Sequence, residues 1–361
     1  MRLASRALYN HHHTVIANAP RLRSLFEAVG RERDLSLPQW CHLYTLALEF
    51  RPDLIIELGR GRGNSTCVFT EATQQVPGCR VVSFCIADDW ERLTRPNVAR
   101  VVPEDWFAPL DARREDIRAV DFAALTEGAA RVLVFWDAHG LEVADCVLAR
   151  LMPAIADRPH VVAMHDITDS RYCGSPADYR GLPFWRGQEE GWSGRHAPLR
   201  LGWIETVVDQ VIPTLDFLAR NGLELHSADH DVHVDIVGEP ERQRELEESY
   251  PAGFFATVNH WAYFSLNDTT GPYHFPAYDG GLDAGQGVAP ARVGTETAEH
   301  SPSNQERSPP PRYTEAGHAL CRDLAMYNLF GRATPLTWLR VLAKTVLGRY
   351  GRHCGGGPNT P

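Results

Sequence analysis

The apolar residues of this chain follow two rhythms. Between residues 20 and 50 they recur every three or four positions: Leu22, Leu25, Phe26 and Val29, then Trp40, Leu43, Tyr44, Ala47 and Leu48. That is the period of helices with one buried face, with Pro20 and Pro38 placed to open them. From residue 54 the rhythm changes to short continuous runs. Leu54–Ile56, Arg80–Phe84, Val98–Val102, Arg131–Trp136 and Val161–Met164 each read as a strand buried on both faces. Helical stretches at 65–75 and 141–155 alternate with them. A further helix at 201–221 is closed by Gly222, and 223–225 and 261–266 supply two last strands. Apolar strands alternating with helices imply an α/β fold. The expectation is a Rossmann-like, doubly wound, mostly parallel seven-stranded sheet with helices on both faces and a helical cover before it.

Two stretches break the pattern. Residues 170–200 are rich in Gly, Pro, Trp and Arg without periodicity. Phe184, Trp185 and Trp192 favour a packed lid there, with Arg171, Tyr172, Arg186 and Trp192 available to an acidic or glycan ligand. Residues 280–312 nearly lack bulky apolar side chains and read as a disordered linker. Beyond it, Leu336, Leu339, Val341, Leu342, Val346 and Leu347 interleave with Arg340, Lys344, Arg349 and Arg352 as a basic amphipathic helix. The expected divisions are a cover at 1–50, a catalytic domain at 51–279, the linker at 280–312 and the basic segment at 313–361. For that last helix, packing on the domain or on a partner is preferred over contact with an anionic membrane surface.

Composition narrows the function. A chain of 361 residues with 43% hydrophobic content can bury a large core, and a net charge of -10 argues against a broad nucleic-acid-binding surface. The eight cysteines form no C-x-x-C pair, which removes zinc-ribbon and thioredoxin-like sites. With no long apolar run and no secretory signal, a cytoplasmic protein with reduced thiols is expected. His11, His12 and His13 read as a solvated tail, and His226, His230 and His233 as part of a polar loop between strands. The oligomeric state is left open.

Three motifs carry chemistry. In Glu57-Leu58-Gly59-Arg60-Gly61-Arg62-Gly63-Asn64-Ser65 a strand runs through alternating glycines into a helix. Glycines allow close backbone approach to a ligand, and the helix start, capped by Asn64 or Ser65, offers free N–H groups. The spacing departs from the dinucleotide G-x-G-x-x-G, and Glu57 would repel a pyrophosphate but suit an ammonium. Asp137-Ala138-His139 and His165-Asp166 follow two buried strands, at the end where open parallel sheets bind ligands. Carboxylates and imidazoles converging there can bind a divalent metal or move a proton.

The glycine motif resembles motif I of class I S-adenosylmethionine-dependent methyltransferases. The resemblance implies that Glu57, Gly59, Gly61 and Gly63, with Asn64 and Ser65, hold the methionine end of S-adenosylmethionine. The family's ribose-binding acid at the end of the second strand is replaced here by Cys85, so Asp88 is the nearest substitute, with capping the alternative for Asp88 and Asp89. Asp105 would stand at the adenine end. The strand ends look like those of macrocin-type sugar O-methyltransferases and cephalosporin-hydroxylase-like proteins, which hold magnesium there. The corresponding metal ligands would be Asp137, His165 and Asp166, and an imidazole in place of a carboxylate leaves magnesium, a softer divalent metal or none. The implied reaction is methyl transfer to a hydroxyl of a small molecule or sugar, with His139 or His165 as base and Asp137 as a catalytic residue. The rival readings are a metal-dependent oxygenase or hydrolase built on the His/Asp cluster, a non-catalytic nucleotide-binding module, and a Rossmann dehydrogenase.

Overall fold

The structure, a computed structural model, describes residues 1–30, 35–165, 210–257, 259 and 261–278. Three helices precede the sheet: α1 (Leu3–Asn10), α2 (His12–Val29) and α3 (Leu37–Phe50). The histidine run is therefore not a solvated tail: His11 is the turn between α1 and α2, and His12 and His13 open α2. His12 is only 4% exposed, and its Nδ1 lies 2.6 Å from the Tyr9 carbonyl oxygen. Pro20 stands inside α2, not at its start. α3 opens as expected beside Pro38, on a capping box in which the Ser36 hydroxyl and the Gln39 side chain each bond the other's backbone N–H.

The strands are β1 (Leu54–Leu58), β2 (Arg80–Cys85), β3 (Leu110–Arg114), β4 (Val132–Trp136), β5 (His160–Met164), β6 (His226–Ser227) and β7 (Ala262–Phe264). They form one sheet in the order β3-β2-β1-β4-β5-β7-β6. Strands β1 to β5 pair in parallel, and β7 runs antiparallel to both β5 and β6. This is the α/β, Rossmann-like, mostly parallel seven-stranded sheet that the apolar runs imply.

Alternation along the central strands feeds two cores. Ile55, Leu133, Phe135 and Ala163 face α1 to α3 and helix α4 (Asn64–Thr73) on one side. Leu54, Ile56, Leu58, Val134 and Trp136 face the helical run 141–155 and the helix Val211–Arg220 on the other. Both faces are covered, which is why these strands read as unbroken apolar runs rather than as alternating ones.

Three expectations are corrected. Val98 and Val102 do not form a strand. Val98 ends a short helix begun at Arg95, and Val102 lies in the turn that follows it, with both side chains buried. The third strand is the edge strand β3, Leu-Asp-Ala-Arg-Arg, whose polar side chains stay half-exposed. β6 lies at His226–Ser227, just past the expected 223–225. Finally, the segment after it is helical (Ala228–Val232) and not a loop, with the Ser227 hydroxyl capping the His230 N–H at 3.2 Å. Asp231 there is buried and accepts the Tyr263 hydroxyl at 2.5 Å, a tie from this helix to β7.

Candidate functional site

β1 and β4 are neighbours, yet the chain leaves β1 toward β2 and leaves β4 toward β5. Their carboxyl ends therefore flank the point where the winding reverses, and in open α/β sheets the ligand crevice opens there. The glycine loop leaves β1 on one side of that crevice, and Asp137 to His139 leave β4 on the other.

The backbone locks these two loops together. The Asp137 N–H donates to the Leu58 carbonyl at 2.8 Å, and the N–H groups of Gly59 and Arg60 both donate to the Phe84 carbonyl at 3.2 and 3.0 Å. A Cβ on Gly59 would lie 2.7 Å from the Ala138 nitrogen and 2.8 Å from the Asp137 carbonyl carbon, so no side chain fits. Gly59 and Gly63 also have φ of +98° and +84°, where glycine carries no steric penalty.

Behind the loop lies a buried carboxylate. The in-register pairing of β1 with β2 sets Glu57 beside Ser83. Glu57 is fully buried and accepts from the hydroxyls of Ser65, Ser83 and Thr66, the last at 2.6 Å. Its carboxyl is raised above the ordinary value by burial, a shift the three hydroxyls and Arg60 oppose. These bonds stitch β1, β2 and α4 together. They also commit the Ser65 hydroxyl to Glu57 rather than to the cap.

The helix cap is consequently Gly63, with no side-chain acceptor on the first turn of α4. Asn64, the first residue of that helix, is 2% exposed, and neither its amide oxygen nor its amide nitrogen has a partner. A buried amide left unpaired costs about 1–3 kcal/mol per group, a cost that a polar group bound beside it would relieve.

At the end of β2 the sequence left the ribose contact to Asp88. Asp88 is half-exposed and lies 3.7 Å from Arg92, which also pairs with Asp89 at 3.1 Å. Residue 60 occupies the space between the strand ends instead. The buried Arg60 guanidinium donates to the carbonyls of Ser83 at 2.8 Å and Arg113 at 3.2 Å and pairs with Glu91 at 3.3 Å. Asp105 does not join this group. It lies on the turn Glu104–Phe107 that leads into β3, hence near the amino end of that strand and away from the crevice.

On the β4 side, Asp137 and His165 come together, with His165 Nδ1 3.2 Å from Asp137 Oδ1. The other His165 nitrogen, Nε2, lies 3.3 Å from the amide nitrogen of Gln39. His139 Nδ1 is 3.1 Å from the amide nitrogen of the fully buried Gln210. Neither glutamine was singled out from the sequence. Gln39 closes the capping box of α3, and its approach to His165 across 126 positions is a product of tertiary packing. Asp166, the lid residues Arg171, Tyr172, Phe184, Trp185, Arg186 and Trp192, the linker and the C-terminal segment lie outside the described residues. Among the described residues no group of three or more His, Cys, Asp or Glu side chains is placed to hold a metal. Nor is any described helix long and apolar enough to cross a membrane.

No protein-family model matches the chain. No curated protein matches it either. Solved structures with a similar fold exist. Cofactor-bound Rv0187 from MTB is 15% identical, with a TM-score of 0.37 over 69% of this chain and 89% of that one. The O-methyltransferase from Bacillus cereus in complex with SAH is 16% identical, with a TM-score of 0.30 over 47% of this chain and 70% of that one. An SAH-bound methyltransferase from Podospora anserina is 13% identical, with a TM-score of 0.30 over 72% and 87%. Likenesses this distant assign no chemistry here, which has to be read from the side chains of this chain.

Proposed function

We propose that this chain is an S-adenosylmethionine-dependent methyltransferase that acts on a hydroxyl of a small molecule or sugar. The observation that carries the reading is Asn64, buried and unpartnered at the uncapped start of α4, directly after the glycine loop. A helix start with free N–H groups favours a carboxylate, and the methionine end of S-adenosylmethionine brings one together with an ammonium. The donor set fits that end of the cofactor. A dinucleotide fits less well, because its usual sheet continues as β1-β4-β5-β6 in parallel, whereas β7 here enters antiparallel between β5 and β6.

When bound, the cofactor supplies an electrophilic methyl on a sulfonium. The protein has to hold it on the glycine loop, align the acceptor oxygen, exclude water and take the hydroxyl proton. Asp137 and His139, on the β4 side of the crevice, are the groups offered for that proton, with His165 bonded to Asp137. The divalent cation expected at Asp137, His165 and Asp166 plays no part in this reading, because both His165 nitrogens already face partners, Asp137 and Gln39. The macrocin-type group, a cytoplasmic setting and a small-molecule or sugar partner belong to the same reading.

Calorimetric titration of the full chain with S-adenosylmethionine and with NAD, each with and without magnesium, tests it. The expected result is one S-adenosylmethionine per chain with a Kd on the order of micromolar and no heat from NAD. Absence of S-adenosylmethionine binding under every condition overturns the reading, and binding of NAD alone replaces it with a dehydrogenase.

A further inference from the structure

We propose that Gln39 is a positioning residue that dictates which nitrogen of His165 carries the proton. Its meaning for catalysis rests on the methyltransferase reading, but its geometry does not. Gln39 has two anchors that settle the orientation of its amide. Its Oε1 accepts the Ser36 backbone N–H at 2.7 Å, and its Nε2 donates to the Asn259 carbonyl at 2.7 Å. Turning the amide over would set oxygen against oxygen at Asn259 and N–H against N–H at Ser36.

The same Nε2 lies 3.3 Å from His165 Nε2. An amide NH2 group can only donate, so His165 has to present a lone pair at Nε2. A neutral imidazole carries one N–H, which then falls on Nδ1 and donates to Asp137 Oδ1 at 3.2 Å. His165 is 3% exposed, so water has little room to replace either partner. The helix cap of α3 thus reaches through Gln39 and His165 to Asp137. With Nε2 engaged by Gln39 and the Nδ1 proton given to Asp137, His165 orients the carboxylate instead of receiving the acceptor's proton. That proton falls to Asp137 or His139.

The test is nitrogen-15 NMR of the full chain labelled at histidine, with the His165 signals identified by their loss in His165→Gln. The expected wild-type spectrum has a bare Nε2 and a protonated Nδ1. Gln39→Glu keeps the capping box, because glutamate serves at that position as glutamine does. It exchanges the donor for an acceptor toward both His165 and the Asn259 carbonyl, so it is read on chains whose Asn259 amide signals match wild type. In that variant Nε2 is expected to gain a proton. A wild-type His165 protonated at Nε2 and bare at Nδ1 overturns the proposal even if the variant fails to fold. So does a folded Gln39→Glu chain in which Nε2 stays bare. Titration of the same samples with S-adenosylhomocysteine separates the two readings. No binding by wild type sinks the methyltransferase assignment while leaving the tautomer standing, and binding alongside the other tautomer sinks this proposal alone.

Discussion

The six-membered ring of Trp90 sits where a side chain at Gly63 would have to go. A Cβ built at Gly63 overlaps Cε3 and Cζ3 of that ring, and Trp90 is itself 1% exposed. The glycine that caps α4 is thus demanded twice, by its φ of +84° and by its neighbour. Gly63→Ala is expected to cost roughly 2–4 kcal/mol, combining a left-handed backbone with an overpacked contact. Trp90→Leu removes the overlap but not the backbone cost. In urea unfolding the double variant should therefore be more stable than the sum of the singles predicts, by about 0.5–3 kcal/mol. Strict additivity would show that the two residues do not press on each other.

Glu57 links the same loop to pH. Burial is the largest influence on its carboxyl and raises it above the ordinary 4.5, against the hydroxyls of Ser65, Ser83 and Thr66. An acid raised by folding binds its proton more tightly in the folded state. Its contribution is fully present below about 4.5 and is lost as pH rises through the raised value. Glu57→Gln cannot titrate. Between pH 4 and 7 the stability of wild type relative to this variant is therefore expected to fall, as read by urea unfolding at each pH. A relative stability that rises instead means that the hydroxyls and Arg60 outweigh burial.

What was legible in the sequence was what both faces of the sheet demand. β1, β2, β4 and β5 are apolar runs because helices cover them on each side, and the glycine loop is visible because Gly59 and Gly63 need positive φ. β3 was hidden because an edge strand can carry Asp111, Arg113 and Arg114 without burying them. Val98 to Val102, which bury two valines at a helix end and the turn after it, offered a better apolar signal nearby. Asp137 and His165 were legible as strand-end residues, and the structure brings them together. Gln39 was not, since its local role in the capping box accounts for it fully and only the packing of α3 against Asn259 reveals the second one. Arg60 was hidden for a related reason. It sits among glycines as a solvated loop arginine would, and only the fold shows its guanidinium closed off between the ends of β2 and β3.

His42, one turn after Gln39 on α3, gives a response to acid. It is 2% exposed, its Nε2 lies 2.9 Å from the Asn259 amide nitrogen, and burial pushes its pKa down to about 4. A histidine lowered by folding contributes stability at neutral pH that is lost as pH falls below its ordinary 6.5 toward 4. Between pH 7.5 and 5 the expected loss from this residue is about 2 kcal/mol. His42→Asn should be less stable at neutral pH but flatter over this range in urea unfolding. Parallel curves for the two proteins would mean that His42 does not stay neutral in the fold.

Asp137 offers a way to separate cofactor holding from chemistry. Its backbone serves the loop, donating to Leu58 and filling the space against Gly59, while its carboxylate turns to His165. Asp137→Ala removes only the second function. S-adenosylhomocysteine affinity is therefore expected to change less than about threefold, which is under 0.7 kcal/mol. Under the proposed reaction, turnover on a hydroxyl acceptor should fall by about 100-fold or more, with the loss in kcat rather than in the KM for the cofactor. Gly59→Ala should behave in the opposite way. Its Cβ would collide with the Asp137 and Ala138 backbone and move the two loops apart, so cofactor binding is expected to be lost first. If both variants lose S-adenosylhomocysteine affinity equally, the Asp137 side chain belongs to the cofactor site. If Asp137→Ala keeps full turnover, the acceptor's proton leaves by another route, with His139 the remaining group on that side of the crevice.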